Sequence, residues 1–212
     1  MATLRLGDTA PNFKAQTTEG EIDFHEWIGD GWCVLFSHPA DYTPVCTTEL
    51  GTVAKFKDQF ASRNCKVVAL SVDPLAEHHG WIKDINETQN TTVNFPLIAD
   101  EDRNVAELYD MIHPNADAKA TVRSVFVIGP DKKIKLTIVY PPSTGRNFNE
   151  IIRVLDSLKL TAYKKLATPA NWVKGDDCVI SPSVSNEDAK EMFPKGFTIV
   201  KPYLRMTPDP EV

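Results

Sequence analysis

Five short apolar runs constrain this chain more than any other feature: "WCVLFSH" (32–38), "KVVALSVD" (66–73), "FPLIAD" (95–100), "SVFVIGP" (124–130) and "KIKLTIVY" (133–140). The first three, and the fourth less cleanly, are near-continuous rather than alternating, the pattern of strands covered on both faces. Helical patterns lie among them and after them, at 44–62, 76–88, 101–111 and 147–160. Strands interleaved with helices predict an α/β layer fold, a central sheet flanked by helices. "GPDKK" at 129–133 is a tight-turn sequence, so the last two strands are expected to pair as an antiparallel hairpin, which makes the sheet mixed. From "ATPANW" onward prolines recur and one short helix is readable, near 185–192. A main domain over 1–166 and a small carboxy-terminal domain or arm over 167–212 are therefore expected.

With 212 residues, 42% hydrophobic and 25% charged, the chain is long enough to bury a core without staples. Its formal net charge is −6, and no run of Lys or Arg is long enough to track phosphates, which argues against nucleic-acid and membrane-surface binding. No segment approaches the roughly 20 apolar residues of a membrane span. The start, "MATLRLGDTAPNF", has neither secretory nor transit-peptide character. Cys33, Cys46, Cys65 and Cys178 are scattered and fit no compact disulfide framework. Reduced thiols and a cytoplasmic location are the expectation.

"HPADYTPVCTTEL" (38–50) places Cys46 behind Thr-Pro with no second cysteine at redox-pair or zinc spacing. Thr43 is a competent N-cap, Pro44 is a favoured first helical residue, and an apolar-periodic helix follows. Cys46 then falls in the first turn, among unpaired N–H groups at the positive end of the helix dipole. That setting favours thiolate, the reactive form. Glu49 opposes it, so a cation from another segment is needed, and Arg123 and Arg146 are the candidates. The alternative is a buried cysteine packed against the sheet. Cys33 and Cys65, in or beside strand-like segments, read as buried. Cys178 is either inert or a thiol that attacks an oxidised Cys46.

"PADYTPVCTTE" resembles the active-site loop of the peroxiredoxins, a Pro-x-x-x-Thr-x-x-Cys pattern that falls on Pro39, Thr43 and Cys46. The "SHP" before it and "TTEL" after it are similar to the one-cysteine class. "VRSVFVIGPDKKIKLTIVYP" resembles the strand pair that carries the family's arginine, here Arg123, and "YPPSTGRNFNEIIRVLDSLKLT" resembles the next loop and helix, with Arg146. "ATPANW" and "FPKG" extend the likeness over essentially the whole chain. The resemblance implies a thioredoxin-like fold with an added carboxy-terminal domain, a homodimer in which the arm packs on the partner subunit, and antioxidant reduction of hydrogen peroxide and organic hydroperoxides. No metal or organic cofactor is implied.

In that chemistry the Cys46 thiolate attacks the terminal peroxide oxygen and becomes sulfenic acid. The Thr43 hydroxyl, the Cys46 N–H and the Arg123 guanidinium are donors for the charge that develops on the leaving oxygen. Pro39 shields the site from water and Arg146 holds Arg123 or its neighbours. His38, at the end of the strand leading to the site, either lines it in a hydrogen-bonding role or is a packed strand-end residue. The Val-Cys-Pro sequence that carries the resolving cysteine of two-cysteine relatives is missing, and Cys178 is followed by Val179, Ile180 and Ser181. An external thiol reductant, the glutathione or thioredoxin system, is therefore expected.

Some members of the class also carry a lipase-like Gly-x-Ser-x-Gly with His and Asp partners. The matching stretch here is "GDGWC" (29–33), with Gly31 in place of the serine and Cys33 in place of the last glycine. His25 and Asp131 fall on the partner positions but have no hydroxyl to activate. His78 and His79 are adjacent, about 100° apart on a helix, and make a poor metal pair. His113 sits in a loop beside Pro114. Competing readings are a redox-sensing thiol protein on the same fold and a holdase acting through the arm. A cysteine hydrolase is weaker, since no segment offers the partner residues at readable spacing.

Overall fold

The computed structural model describes residues 4–210. Two compact units divide it, Met1–Phe148 and Asn149–Val212. The first runs β1 (Lys14–Thr17), β2 (Gly20–Asp23), α1 (Phe24–Ile28), β3 (Trp32–Ser37), α2 (Pro44–Lys55), α3 (Lys57–Ala61), β4 (Cys65–Ser71), α4 (Leu75–Gln89), β5 (Leu97–Ala99), α5 (Asn104–Leu108), β6 (Arg123–Ile128) and β7 (Ile134–Tyr140). Its strands form one mixed sheet in the order β2-β1-β5-β4-β3-β6-β7. β3 lies parallel to β4 and antiparallel to β6, and β6 turns back antiparallel into β7 as the tight-turn sequence requires.

Every residue of β3 is buried, which is why its sequence shows no polar alternation. On one face Cys33, Leu35, Val68, Leu70, Phe126 and Ile128 share a cluster with Phe24 and Ile28 of α1 and Val105 and Ala106 of α5. The alternate residues point to the other face. There the Phe36 ring lies 6.1 Å from Phe95 and meets Phe148 edge-on at 5.8 Å. α2 and α4 pack against each other and bury Leu50, Trp81 and Ile85.

All five apolar runs are strands. β1 and β2 were not legible, because "KAQT" and "GEID" are short and polar and offer no apolar run. The helical pattern at 44–62 is broken: α2 ends at Lys55, and Phe56 (φ −89°, ψ 8°) turns the chain into α3. The pattern at 101–111 contracts to α5, with Arg103 in the left-handed region (φ 63°) just ahead of it. Asp100 fixes that start by accepting from the backbone N–H groups of Val105 and Ala106 at 3.0 and 2.7 Å.

The second unit contains all but the first residue of α6 (Phe148–Tyr163), then β8 (Leu166–Ala167), β9 (Cys178–Ile180), α7 (Asn186–Met192), β10 (Thr198–Lys201) and β11 (Leu204–Thr207). Its sheet runs β10-β11-β9-β8. The tail thus holds more than the single helix readable in its sequence, because strands of two to four residues leave no periodicity to read. Leu160 of α6 joins Leu166, Trp172, Cys178, Ile180 and Phe193 in this unit's core. Compaction therefore begins with the helix, ahead of the composition change at residue 167. Among the described residues no helix is long and apolar enough to cross a membrane.

Candidate active site

Between β3 and α2 the chain turns sharply through Tyr42, a non-glycine residue in the left-handed region (φ 53°). Thr43 follows in the N-cap position with extended backbone (φ −112°, ψ 148°), and Pro44 opens the helix. The expected side-chain cap is absent. The Thr43 hydroxyl turns back and donates to the Ala40 carbonyl at 2.8 Å, closing the loop instead of the helix end. The first helical bond runs from Thr47 N–H to the Thr43 carbonyl at 3.0 Å. Cys46 precedes it, so its N–H is among those without an intrahelical acceptor. Its side chain is buried.

Both arginines that the sequence offered arrive at this helix start. Arg123, the first residue of β6, donates from Nη1 to Cys46 Sγ at 3.3 Å and to Glu49 Oε2 at 2.7 Å. Its Nε and Nη2 both donate to the Pro142 carbonyl, at 3.0 and 2.7 Å, which fixes the plane of the guanidinium. Arg146 donates from its backbone N and from Nε to Glu49 Oε1, at 2.7 and 2.9 Å, and from Nη2 to Oε2 at 2.6 Å. Its Nη1 donates to the carbonyls of Ser37 and Ser124 at 2.8 and 3.0 Å. The Arg146 guanidinium also lies 4.8 Å from the Phe36 ring and 5.6 Å from the Phe148 ring.

Glu49 is the residue whose role the sequence did not disclose. In sequence its charge stands only as a neighbour of Cys46, yet the carboxylate ties both arginines into one buried cluster. Burial works against its ionisation, but the hydrogen bonds and charge of Arg146, with Arg123, outweigh it and hold the carboxyl below its usual range. The available signal was spacing: three residues apart on a helix, Cys46 and Glu49 share a face. Two guanidinium groups and one carboxylate leave a single positive charge in the cluster, and Arg123 brings it against Cys46 Sγ.

His38 and Pro39 follow β3, His38 buried and Pro39 half-buried. His38 Nε2 lies 2.8 Å from Asp41 Oδ1, and the other carboxylate oxygen, Oδ2, lies 2.5 Å from Nδ1 of the buried His78 on α4. Asp73 accepts from Asp41 N–H at 2.9 Å and from the Ser71 hydroxyl at 2.8 Å. His38, Asp41 and Asp73 form the one grouping of metal-type donors among the described residues, and its carboxylates are engaged in these hydrogen bonds.

Burial opposes ionisation of Asp41, and hydrogen bonds from His38 and His78 outweigh it, bringing the carboxyl from 3.8 down to about 2. A depressed carboxyl contributes stability that is complete above the unfolded value and lost as pH falls toward the folded one, here about 2 kcal/mol between roughly pH 4 and pH 2. His38, held below its usual range by burial despite Asp41, acts in the same direction as pH falls below 6.5. Unfolding in urea is therefore expected to show falling stability from neutral pH into acid, with an Asp41→Asn variant losing the steep part below pH 4.

The remaining thiols are buried and form no disulfide. Cys33 is raised well above its usual range, chiefly by burial. Cys178 lies in the core of the second unit, where burial and then Asp209 push its thiol up to about 11. A thiol so reluctant to ionise is a poor attacking group, and Cys178→Ala is expected to leave peroxide turnover with an added thiol unchanged. In the "GDGWC" turn a Cβ on Gly31 would stand 2.9 Å from the Asn64 carbonyl oxygen, leaving no room for a serine there. His25 Nε2 is bonded to the Ala10 carbonyl at 2.8 Å and Asp131 is paired with Lys135 at 2.6 Å, so the structure does not join the two.

One buried sulfur with a cation against it, carried at a helix start beside the central strand of a thioredoxin-like sheet, is the build of a thiol peroxidase rather than of a dithiol exchanger. The AhpC/TSA family model matches residues 6–137, and the model for the C-terminal domain of 1-Cys peroxiredoxin matches residues 157–196. A 1-Cys peroxiredoxin of Dictyostelium discoideum is 58% identical over 207 residues, covering 98% of this chain and 86% of that protein. The peroxiredoxin 6 of Arenicola marina, crystallised as a cysteine-to-serine mutant, is 47% identical with a TM-score of 0.91, covering 99% of this chain and 100% of that one. A yeast mitochondrial 1-Cys peroxiredoxin, solved to explain thiol resolving via glutathione/thioredoxin systems, is 50% identical with a TM-score of 0.91 over 97% of this chain and 100% of that one. The chain belongs to the AhpC/TSA family, in its one-cysteine peroxiredoxin class, and is a peroxidase.

Proposed function

We propose that Cys46 is the peroxidatic cysteine, with Thr43 and Arg123 as its catalytic partners, acting on hydrogen peroxide and organic hydroperoxides. The observation that carries this is the Arg123 Nη1 contact with Cys46 Sγ at 3.3 Å, in a cluster with one positive charge to balance. The sulfur lone pair forms the S–O bond while the O–O bond breaks, and the leaving oxygen departs with the electron pair and takes up a proton. Cys46 is left as sulfenic acid and the peroxide as water or alcohol. Arg123 and the Cys46 N–H supply donors for the charge on the oxygens, and the Thr43 hydroxyl, which rests on the Ala40 carbonyl, is within the same turn. Arg146 holds the arginine pair through Glu49, Pro39 keeps water from the sulfur, and His38 supports the loop.

The reductant is an external thiol. The first equivalent forms a mixed disulfide with Cys46 and releases water; a second thiol releases Cys46 and leaves as disulfide. The yeast relative's use of glutathione/thioredoxin systems supports those two sources. We further propose a cytoplasmic homodimer assembled through the carboxy-terminal arm. Ile199, Val200 and Tyr203, 51%, 52% and 77% exposed on the β10–β11 hairpin, support an apolar contact there.

The test is peptide mass spectrometry after one equivalent of hydrogen peroxide with a sulfenic-acid trap present. Label confined to Cys46 is expected, and excess peroxide without thiol is expected to carry Cys46 on to sulfinic acid. Label spread over all four thiols, or a two-proton loss joining Cys46 to another cysteine, would overturn the single-thiol mechanism.

A further inference from the structure

His38, Asp41 and His78 form a buried chain of hydrogen bonds whose protons can be counted from its far end. His78 Nε2 lies 3.1 Å from the Ile98 carbonyl oxygen, which only accepts, so Nε2 carries hydrogen. His78 Nδ1 lies 2.5 Å from Asp41 Oδ2, so a second proton stands in that gap. At the near end, Asp41 Oδ1 faces His38 Nε2 at 2.8 Å. His38 Nδ1 is buried and has no hydrogen-bond partner among the described residues.

We infer that His78 is a positioning residue for the peroxidase site. With a proton on each ring nitrogen it keeps Asp41 an acceptor toward His38, and so fixes His38 as the Nε2–H tautomer with a bare Nδ1. For its consequence this rests on the peroxidase reading of Cys46. His38 belongs to the frame of that site: the carbonyl of Ser37 before it accepts from Arg146, and its own carbonyl accepts from the Thr121 hydroxyl at 2.8 Å, two residues ahead of Arg123.

The groups that bear on His38 are consistent with a neutral ring. Burial disfavours its charged form, Asp41 favours it, His78 disfavours it and the more distant Asp73 favours it; the balance lies below the usual range. Asp41, drawn down to about 2, is the carboxylate that two imidazole donors require. Without His78 the buried carboxylate has lost an N–H donor. Taking one proton from solvent, it either becomes a carboxylic acid that donates to His38 Nε2, or stays ionised against a doubly protonated His38. Both routes place hydrogen on His38 Nδ1 and remove the free acceptor.

Nitrogen-15 NMR of the histidine-labelled full chain at neutral pH reads this directly. The expected result is two protonated nitrogens on His78, and on His38 a protonated Nε2 with an unprotonated Nδ1. A lone pair on either His78 nitrogen, or hydrogen on His38 Nδ1, would overturn the inference. In a His78→Leu variant His38 Nδ1 is expected to become protonated, and the rate of Cys46 oxidation to fall about tenfold or more with a changed pH profile. His78→Asn, which keeps an N–H donor near the Nδ1 position, is expected to restore the His38 tautomer and most of the rate. Equal losses in both variants with an unchanged His38 tautomer would make His78 a packing residue only. Failure of the peroxidase reading shows separately, as no sulfenic-acid label at Cys46 in the unaltered protein.

Discussion

Serine in place of Cys46 is expected to abolish peroxide turnover, a fall of at least about 10³-fold, with the fold retained. The exchange changes one atom, and the new hydroxyl is not ionised near neutral pH, so the nucleophile is lost while the volume is nearly kept. Little else in the site depends on the sulfur. Arg123 stays tied to Glu49 and to the Pro142 carbonyl, and Arg146 makes no bond to Cys46. Thermal unfolding should accordingly stay close to that of the parent chain. Peroxide consumption with an added thiol and circular dichroism on the same sample make the comparison. Retained turnover in Cys46→Ser would remove the catalytic assignment, and would favour an activity, such as holding unfolded chains, that needs no thiol.

The central part of this fold was legible because burial on both faces leaves continuous apolar runs; that held for β3, β4 and β6. β1 and β2 failed the same test, being short and polar, and the strands of the second unit are too brief to carry any pattern. At the site the loop motif picked out Pro39, Thr43 and Cys46 and the strand pair picked out Arg123, and the structure brings Arg123 and Arg146 to the same helix start. What local reading missed were the relations between segments. Thr43 stands where an N-cap should, but the preceding turn offers its hydroxyl a carbonyl at closer quarters. In sequence His78 stands only beside His79, whereas burial of the first and exposure of the second separate their roles. Glu49 shows in sequence only as a charge near Cys46, because its two cations arrive from residues 123 and 146, far along the chain.

Glu49 therefore carries the second large effect: Glu49→Ala is expected to cost about 3–5 kcal/mol of stability, because it leaves two buried guanidinium groups without their counter-charge. For a chain of this length that corresponds to a fall of about 10 °C in unfolding temperature. Each carboxylate oxygen accepts two bonds, Oε1 from Arg146 N and Nε and Oε2 from Arg146 Nη2 and Arg123 Nη1, so no single water replaces it. Turnover should fall with stability, since Arg123 loses the partner that aims Nη1 past the sulfur. Glu49→Gln separates the two causes. It keeps the shape and two acceptor directions but turns an amide N–H₂ toward a guanidinium, so stability should recover only in part. If Glu49→Ala unfolds at the parent temperature, the carbonyls of Ser37, Ser124 and Pro142 suffice to hold the arginines and the charge-balance account of the cluster fails. If it is destabilised yet turns over peroxide at the parent rate, Glu49 serves the fold alone and the aim of Arg123 is set by Pro142.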